Sequence, residues 1–278
     1  MIQRQIVLAA GLVMSSLVAT SVRAELIVYE PFAYTPTQSL IGQNGGQGFS
    51  AAWFFQGGGP ITISGTSIPI VGLEESGNKV YANPSNTSGS PVSTSFRYLT
   101  NTFGSSGTVY LSYAIQYLEG DRFAGLSLIQ DTTQVAFFGK NSAQPNWRVS
   151  SGPFSTIDSG IAITTSPTLL VLKIEFNQSG INERLSLFVN PTPGAPEPTP
   201  AGQVTSTSTF FFNRIEIGSA ANNGSQATTR AYFDEIRVST TWAEAVPVPE
   251  PATFAMLVTA VMALTMAPVR AQKSRRTG

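Results

Sequence analysis

Residues 109–117 read VYLSYAIQY, and every odd position in this stretch carries a large apolar side chain. The even positions include Ser112, Ala114 and Gln116, which are small or polar. Successive side chains of a β-strand point to opposite faces of its sheet. The alternation therefore predicts a strand with one buried face.

Comparable runs recur along the chain, separated by clusters of Gly, Pro, Asn and Ser, and no convincing amphipathic helix accompanies them. The further predicted strands lie at Leu26 to Glu30, Lys79 to Ala82, Ser95 to Leu99, Phe123 to Ile129, Val135 to Phe138, Trp147 to Ser150, Leu170 to Phe176, Leu185 to Val189 and Arg214 to Ile217. Many short strands with polar turns predict an all-β fold, and this length favours a jelly-roll sandwich of two antiparallel sheets. The Pro-rich residues 190–200 are interpreted as a long surface loop rather than a domain linker.

The 278 residues contain no cysteine and no histidine. The absence of cysteine means that a hydrophobic core, not disulfides, must hold the fold. The absence of histidine excludes Ser-His-Asp and Cys-His nucleophile systems and any zinc site with histidine ligands. Chemistry would have to come from carboxylates, Lys, Tyr or an oxygen-ligated cation.

The N-terminus has the features of a secretory signal peptide. Arg4 supplies a positive charge, residues 6–14 a short apolar core, and Val22-Arg23-Ala24 a small-residue cleavage site. We predict a signal peptide over residues 1–24, with cleavage after Ala24 and export by the Sec machinery. A stable N-terminal membrane helix is the alternative.

The C-terminus reads as three consecutive segments. A Pro-rich linker at 245–251 precedes an uncharged apolar stretch at 252–269, and a basic tail occupies 270–278. The apolar stretch would reach ~27 Å as a helix, enough to cross the hydrocarbon core of a membrane. The basic tail would then remain cytoplasmic.

These segments closely resemble the PEP-CTERM sorting signal of Gram-negative bacteria. The matching residues are Pro249, Glu250, Pro251, Arg275 and Arg276. The resemblance implies an exosortase as partner, transient anchoring in the inner membrane, and release to the cell surface or the extracellular, biofilm matrix. An ordinary C-terminal anchor is the alternative, and the internal Pro196-Glu197-Pro198 is predicted to be loop because no apolar run follows it.

Residues 25–247 hold ten lysines and arginines against fifteen aspartates and glutamates, a net charge of −5. The chain therefore lacks the basic footprint of a nucleic-acid-binding protein. Residues 25–244 also resemble the LamG-like, concanavalin A-like domains of PEP-CTERM proteins. The resemblance rests on residues 29–34 (YEPFAY), 42–49 (GQNGGQGF) and Trp53 at the start, and on 232–238 (YFDEIRV) with Thr241-Trp242 at the end. It implies a lectin-like sandwich fold, for which we predict polysaccharide as the ligand.

Asp234 is the most informative single carboxylate. Strict alternation would put it on one face with Tyr232, Ile236 and Val238, opposite Glu235 and Arg237. A buried carboxylate needs partners, so we predict a structural anchor; Ca²⁺ binding and catalysis are the alternatives. Glu235 and Arg237 are predicted to form a solvated pair.

Glu119-Gly120-Asp121 is similar to the acidic strand motif of laminarinase-type glycoside hydrolases, but Phe123 occupies the position of their third acid. We interpret this segment as a hairpin turn and assign no catalytic residue, cofactor or metal, with Ca²⁺ left open. The function expected from the sequence is that of an exported, non-catalytic surface or matrix protein. The alternative is a divergent polysaccharide hydrolase or lyase that uses carboxylates such as Glu119 and Asp121.

Overall fold

The computed structural model describes residues 26–73, 76–84, 91–104, 106–152, 155–177, 182–221 and 228–248. The elements are β1 (Leu26–Glu30), β2 (Phe54–Gly58), β3 (Thr62–Ser64), β4 (Lys79–Ala82), β5 (Val92–Phe103), β6 (Gly107–Glu119), β7 (Ala124–Gln130), β8 (Thr133–Lys140), β9 (Asn146–Ser151), β10 (Ser155–Ala162), β11 (Thr168–Phe176), β12 (Arg184–Val189), β13 (Gly202–Thr205), β14 (Phe212–Ala220), β15 (Arg230–Ser239) and the short helix α1 (Trp242–Ala245).

The strands form two antiparallel sheets, which confirms the predicted all-β, jelly-roll-like sandwich. One sheet has eight strands in the order β13-β12-β11-β6-β15-β4-β3, with β1 also paired to β15. The other has seven strands in the order β10-β9-β8-β7-β14-β5-β2. The Pro-rich residues 190–200 form the loop between β12 and β13, which are neighbours in one sheet.

The main core lies between the two sheets. The odd positions of β6 face it as predicted, and Leu111, Tyr113 and Ile115 are fully buried there. The Tyr113 hydroxyl donates to the Phe138 carbonyl oxygen of the opposite sheet over 2.7 Å, so even the polar end of this ring is satisfied inside the core.

A second apolar cluster covers the outer face of the eight-stranded sheet. Its members are Ile68, Ile70, Leu73, Tyr110, Ala114, Leu169, Val171, Phe188, Ala245 and Val246, with Tyr232 and Trp242 packed against them. The Trp242 indole also donates to the Ala195 carbonyl oxygen over 2.8 Å, which joins α1 to the Pro-rich loop. Because Ala245 and Val246 are buried in this cluster, the folded region extends beyond the predicted boundary at residue 244.

A buried ion pair joins the two sheets where β1 ends. Glu30 is fully buried and forms a salt bridge with Arg97 of β5. The Glu30 carboxylate also accepts hydrogen bonds from the Phe32 amide, the Tyr34 hydroxyl and the Trp53 indole at 2.7–2.9 Å. The sequence motif of residues 29–34 thus builds a polar network in which a buried charge is fully partnered.

The predicted export and sorting signals lie outside the described residues. This applies to the signal peptide 1–24 with Ala24, the apolar stretch 252–269 and the basic tail 270–278. It also applies to the motif residues Pro249, Glu250, Pro251, Arg275 and Arg276. No helix in the described part of the chain has the length and apolar character needed to cross a bilayer.

Candidate functional site

One line of directly paired residues runs across all seven strands of the seven-stranded sheet, on the face that points away from the core. We call this line the central row. Its members, in strand order from β2 to β10, are Phe54, Phe96, Glu216, Ser127, Phe137, Ser150 and Thr156.

The alternation of each strand explains why these residues share the outer face. On β14, Ile215 and Ile217 point into the core, so Glu216 between them points outward. On β7, Leu126 and Leu128 do the same and leave Ser127 outside. All helices and strands among the described residues belong to the two sheets or to the far side of the eight-stranded sheet, so none is layered over the central row.

The middle of the central row forms a cavity of about 260 Å³. Its lining residues are Phe123, Ser127, Gln134, Phe137, Asn141, Ser150, Gly152, Thr156 and Glu216. The Phe123 and Phe137 rings are perpendicular, with centroids 6.3 Å apart. The Phe137 ring lies against Gly125, where an added Cβ would come within 2.6 Å of it, so the glycine makes room for this wall of the cavity.

Glu216 is the one carboxylate among the described residues that line this cavity. It is half-buried, and its carboxyl group makes no hydrogen bond with a described residue. The neighbouring hydroxyls are already engaged, since Ser127 donates to Gln134 over 3.0 Å and Ser150 pairs with Thr156 at 2.9 Å. Burial raises the pKa of Glu216 above its ordinary value, and the positive charge of Arg214 opposes this rise only in part.

Aromatic rings continue the outer face on the β5 side of Glu216. Phe54 stacks on Phe96 with centroids 5.4 Å apart, and Tyr98 meets Phe96 edge-on at 5.6 Å. The Arg214 guanidinium carbon lies 4.2 Å from the centre of the Phe96 ring. We call Phe54, Phe96, Tyr98 and Arg214 the aromatic platform.

Asp234 is fully buried on β15 and accepts three hydrogen bonds. The donors are the Ser67 hydroxyl and the amides of Ile68 and Glu235, the amides at 2.8 Å. Burial raises the pKa of Asp234 to about 8 against the opposing effect of these donors. The contacts attach the chain around residues 67–68 to the outer face of the eight-stranded sheet.

Asp234 shares the face of Tyr232 as predicted, but the prediction that it also shares the face of Ile236 and Val238 is wrong. A β-bulge between Asp234 and Arg237, with Glu235 at a φ of 53°, breaks the alternation of β15. As a result Ile236 and Val238 face the main core, whereas Asp234 faces outward.

The predicted solvated pair of Glu235 and Arg237 is also wrong, because both side chains are buried. Arg237 donates to Glu235 over 2.8 Å, and Glu235 also accepts from the Tyr29 hydroxyl and the Ser76 amide. The guanidinium carbon of Arg237 lies 4.3 Å from the centre of the Tyr29 ring. The pair is part of the packing between β1 and β15 rather than a surface contact.

Glu119 and Asp121 lie away from the central row. Glu119 ends β6 and forms an exposed salt bridge with Arg230. The segment that follows is a turn, as predicted, but it passes from one sheet to the other instead of closing a hairpin. Gly120 is required there, because it has a φ of 103° and an added Cβ would lie 2.4 Å from the Cα of Thr229.

Four aromatic residues in or next to β2 and β9 divide into two groups. Trp53 and Trp147 are core residues, whereas Phe54 and Phe55 are exposed. Glu216 was not among the predicted site residues, although its position between two core isoleucines was a signal that it faces outward. Within the described residues no group of three or more acidic side chains could hold a metal ion, and the expectation on cofactors and Ca²⁺ stays a prediction.

No family model matches the chain, and no curated protein sequence matches it significantly. Solved structures of similar fold include an endo-β-1,4-glucuronan lyase from the fungus Trichoderma reesei, with 10% identity, 76% of this chain and 98% of that chain covered, and a TM-score of 0.49. A β-1,3-glucanase from Mycobacterium marinum shows 10% identity, covers 78% of this chain and 99% of its own, and has a TM-score of 0.45. An alginate lyase from a Corynebacterium species shows 14% identity, coverage of 57% and 75%, and a TM-score of 0.38.

The prediction of a non-catalytic protein is wrong. It rested on the lack of a catalytic set of side chains and did not consider Glu216 and its cavity. The similar solved structures are named as two lyases and a glucanase, so sandwiches of this kind include enzymes. At such low identity the likeness concerns the fold alone and assigns neither a reaction nor a residue to this chain.

Proposed function

We propose that this protein cleaves a polysaccharide and that Glu216 is its proton-transfer group. The observation that carries the proposal is the position of Glu216, a half-buried carboxyl group without a hydrogen-bond partner among the described residues, in the cavity along the central row. The sequence-based alternative of a hydrolase or lyase that uses carboxylates is therefore kept, with Glu216 as the carboxylate instead of Glu119 and Asp121.

The shape and composition of the central row support a polymeric sugar as substrate. Six strand spacings separate β2 from β10, which amounts to about 29 Å. Hydroxyl groups can exchange hydrogen bonds with sugar hydroxyls, and aromatic rings offer apolar faces on which sugar rings can stack. A row of both, running through a cavity, suits a chain of several sugar units better than a compact ligand.

The raised pKa of Glu216 suits acid–base catalysis. A carboxyl group works best as proton donor or acceptor when its pKa lies near the operating pH, and burial moves Glu216 in that direction. If the ionised form is the active base, the rate should rise with pH through the pKa of Glu216. The midpoint should lie above the ordinary value of 4.5.

The experiment is a depolymerisation assay on a panel of neutral and acidic polysaccharides, with wild-type protein and Glu216→Gln. The substitution keeps the shape of the side chain but removes its acid–base function. We expect Glu216→Gln to lose roughly a hundredfold or more in rate, the usual share of a positioned proton-transfer group.

Glu119→Gln and Asp121→Asn are the matched controls, because they change carboxylates that lie away from the central row. Both should keep the wild-type rate. An unchanged rate in Glu216→Gln, or no release of products from any member of the panel, would remove the proposal.

We also propose that the chain is exported by the Sec machinery and trimmed by an exosortase at Pro249-Glu250-Pro251, with a final place at the cell surface or in the extracellular matrix. The support is the sequence of both termini, together with the absence of cysteine. Mass spectrometry of culture supernatant and membranes tests this proposal. The expected product begins at Glu25 and ends near Pro251, and an intact polypeptide in the cytosol would contradict it.

A further inference from the structure

We infer that the aromatic platform binds a sugar unit that carries a carboxylate, and that Arg214 is the residue that recognises its charge. This inference rests on the proposed function, because it names the class of polysaccharide that the same site would accept. The four residues of the aromatic platform lie beside Glu216 on one face of the sheet.

The first observation is that Arg214 lacks a salt bridge to any described carboxylate. Arg214 is only 5% exposed, its Nε atom is buried without a hydrogen bond, and its guanidinium forms no salt bridge with a described carboxylate. Five other described arginines each pair with an acidic residue, namely Arg97, Arg148, Arg184, Arg230 and Arg237. A buried N–H group without a hydrogen bond is costly, and an incoming anion that accepts a hydrogen bond from Nε would offset that cost.

The second observation is that exposed aromatic rings surround this charge. Phe54 is 44% and Tyr98 is 37% exposed, and the Arg214 guanidinium carbon lies 4.2 Å from the centre of the Phe96 ring and 5.8 Å from that of Tyr98. The exposed rings provide a surface on which a sugar can stack. Because little of Arg214 itself is exposed, it could contact one small anionic group but not a broad acidic surface.

The third observation is the position of the aromatic platform relative to Glu216. Glu216 lies directly opposite Phe96 in the sheet, and Arg214 lies directly opposite Tyr98. Arg214 and Glu216 are therefore neighbours on one face, two residues apart on β14. A sugar held by the platform would continue into the cavity around Glu216.

The carboxylate of the sugar also determines which cleavage reaction is possible at Glu216 and Arg214. Hydrolysis by the usual glycosidase mechanism needs two carboxyl groups, and Glu216 is the only carboxylate of the central row. Asp158 lies on the edge strand β10, four strands away from β14, and is held in a salt bridge with Arg148 at 2.9 Å.

Elimination needs one base. Glu216 would take the proton from the carbon next to the sugar carboxylate, and the electrons of that C–H bond would form a C=C bond as the bond to the glycosidic oxygen breaks. The leaving oxygen would then take a proton from Glu216 or from solvent. Arg214, bound to the sugar carboxylate, would stabilise the negative charge that develops there.

The test compares the binding of two ligands that differ only in the carboxylate, β-1,4-linked oligomers of glucuronate and of glucose of equal length. Calorimetry with the Glu216→Gln protein avoids turnover. We expect the acidic oligomer to bind about tenfold to a hundredfold more tightly, and this preference should shrink as salt is added.

Arg214→Met, combined with Glu216→Gln, should abolish the preference, so that the acidic oligomer binds no more tightly than the neutral one. Arg214→Lys should keep part of the preference, and it also serves if the methionine variant does not fold. Phe54→Ala should weaken the binding of both oligomers equally. In the wild-type protein, products with the ultraviolet absorbance of a C=C bond should appear from the acidic polymer only.

Equal affinity for the two oligomers, binding of neither, or an unchanged preference in Arg214→Met would overturn the inference. The experiments distinguish failure of this inference from failure of the proposed function. If the enzyme cleaves neutral polymers and depends on Glu216, only the role of Arg214 is lost. If the acidic preference exists but no polymer is cleaved, only the proposed activity is lost.

Discussion

At the scale of single residues, Asp234 illustrates how burial and hydrogen bonding oppose each other. Its carboxylate accepts two backbone amides and a hydroxyl, which all favour the ionised form. Removal from water disfavours that form and dominates, so the pKa rises from 3.8 to about 8. Asp234 thus holds a proton in the folded protein at neutral pH that the unfolded chain has already released.

We predict that Asp234 makes stability fall as the pH rises. Its contribution is complete below about pH 4 and is lost as the pH rises through about 8, because the folded state binds the additional proton over that interval. The slope from one such group reaches about 1.4 kcal/mol per pH unit. The measurement is the midpoint of thermal unfolding between these pH values for wild-type protein and Asp234→Asn.

The wild-type midpoint should fall more steeply than that of Asp234→Asn, which cannot ionise at this position. Other groups titrate equally in both proteins, so the difference between the two curves isolates Asp234. Parallel curves would show that the carboxyl group is already ionised at neutral pH.

At the scale of elements, the contact between the end of β1 and β5 is a buried ion pair rather than an apolar one. Arg97 pairs with Glu30, donates to the Ala51 carbonyl oxygen and the Asn44 side chain, and lies over the Phe49 ring. The arrangement also holds Phe32 in a left-handed conformation, with a φ of 50° and its amide bound to Glu30.

We predict that Arg97→Met costs about 3–5 kcal/mol of unfolding free energy, because it leaves the Glu30 charge buried and unpaired. The double variant Glu30→Gln/Arg97→Met should lose less than the sum of the two single variants, since it removes both charges. Denaturant unfolding of the four proteins measures this coupling. Additive losses would mean that the two charges do not depend on each other.

The strands differ in how well the sequence predicted them, for a reason that lies in their surroundings. β1 and β4 were predicted with their observed limits, and β6 with its buried face, because their apolar residues alternate. β2 (FFQGG), β3 (TIS), β10 (STIDSGIA) and β13 (GQVT) were missed. All four lie at sheet edges; β3 and β13 are too short to show a pattern, and β2 and β10 have no fully buried side chain that would impose one.

At the scale of the whole molecule, the outer faces of the two sheets differ. The second apolar cluster, with Trp242 against Phe188 at 4.9 Å and Tyr110 at 5.9 Å, covers the eight-stranded sheet. The seven-stranded sheet carries the central row and the aromatic platform on its outer face. One outer face is therefore packed against further elements, whereas no described helix or strand covers the other.

We predict opposite effects for two aromatic substitutions that differ in face. Trp242→Ala should cost about 2 kcal/mol or more of stability but leave oligosaccharide binding intact. Phe54→Ala should change stability by less than about 0.5 kcal/mol and weaken binding, because Phe54 is exposed in the folded protein. Thermal unfolding and calorimetry on both variants give the comparison, and loss of binding in Trp242→Ala would show that the two faces are coupled.

The alternation of apolar and polar residues was sufficient to predict the all-β class, most strands and the faces that they bury, because that pattern depends only on neighbouring positions. Because Arg214 and Glu216 alternate with the apolar Ile215 and Ile217, the same pattern indicates that the two charged side chains face outward. The alternation could not predict the central row. Its residues Phe54, Phe96, Ser127, Phe137 and Glu216 come together only through hydrogen-bonded pairing of strands that are far apart in the chain. The alternation could not predict the bulge in β15 either, because the position of a bulge depends on the partner strand and on the loop that covers it.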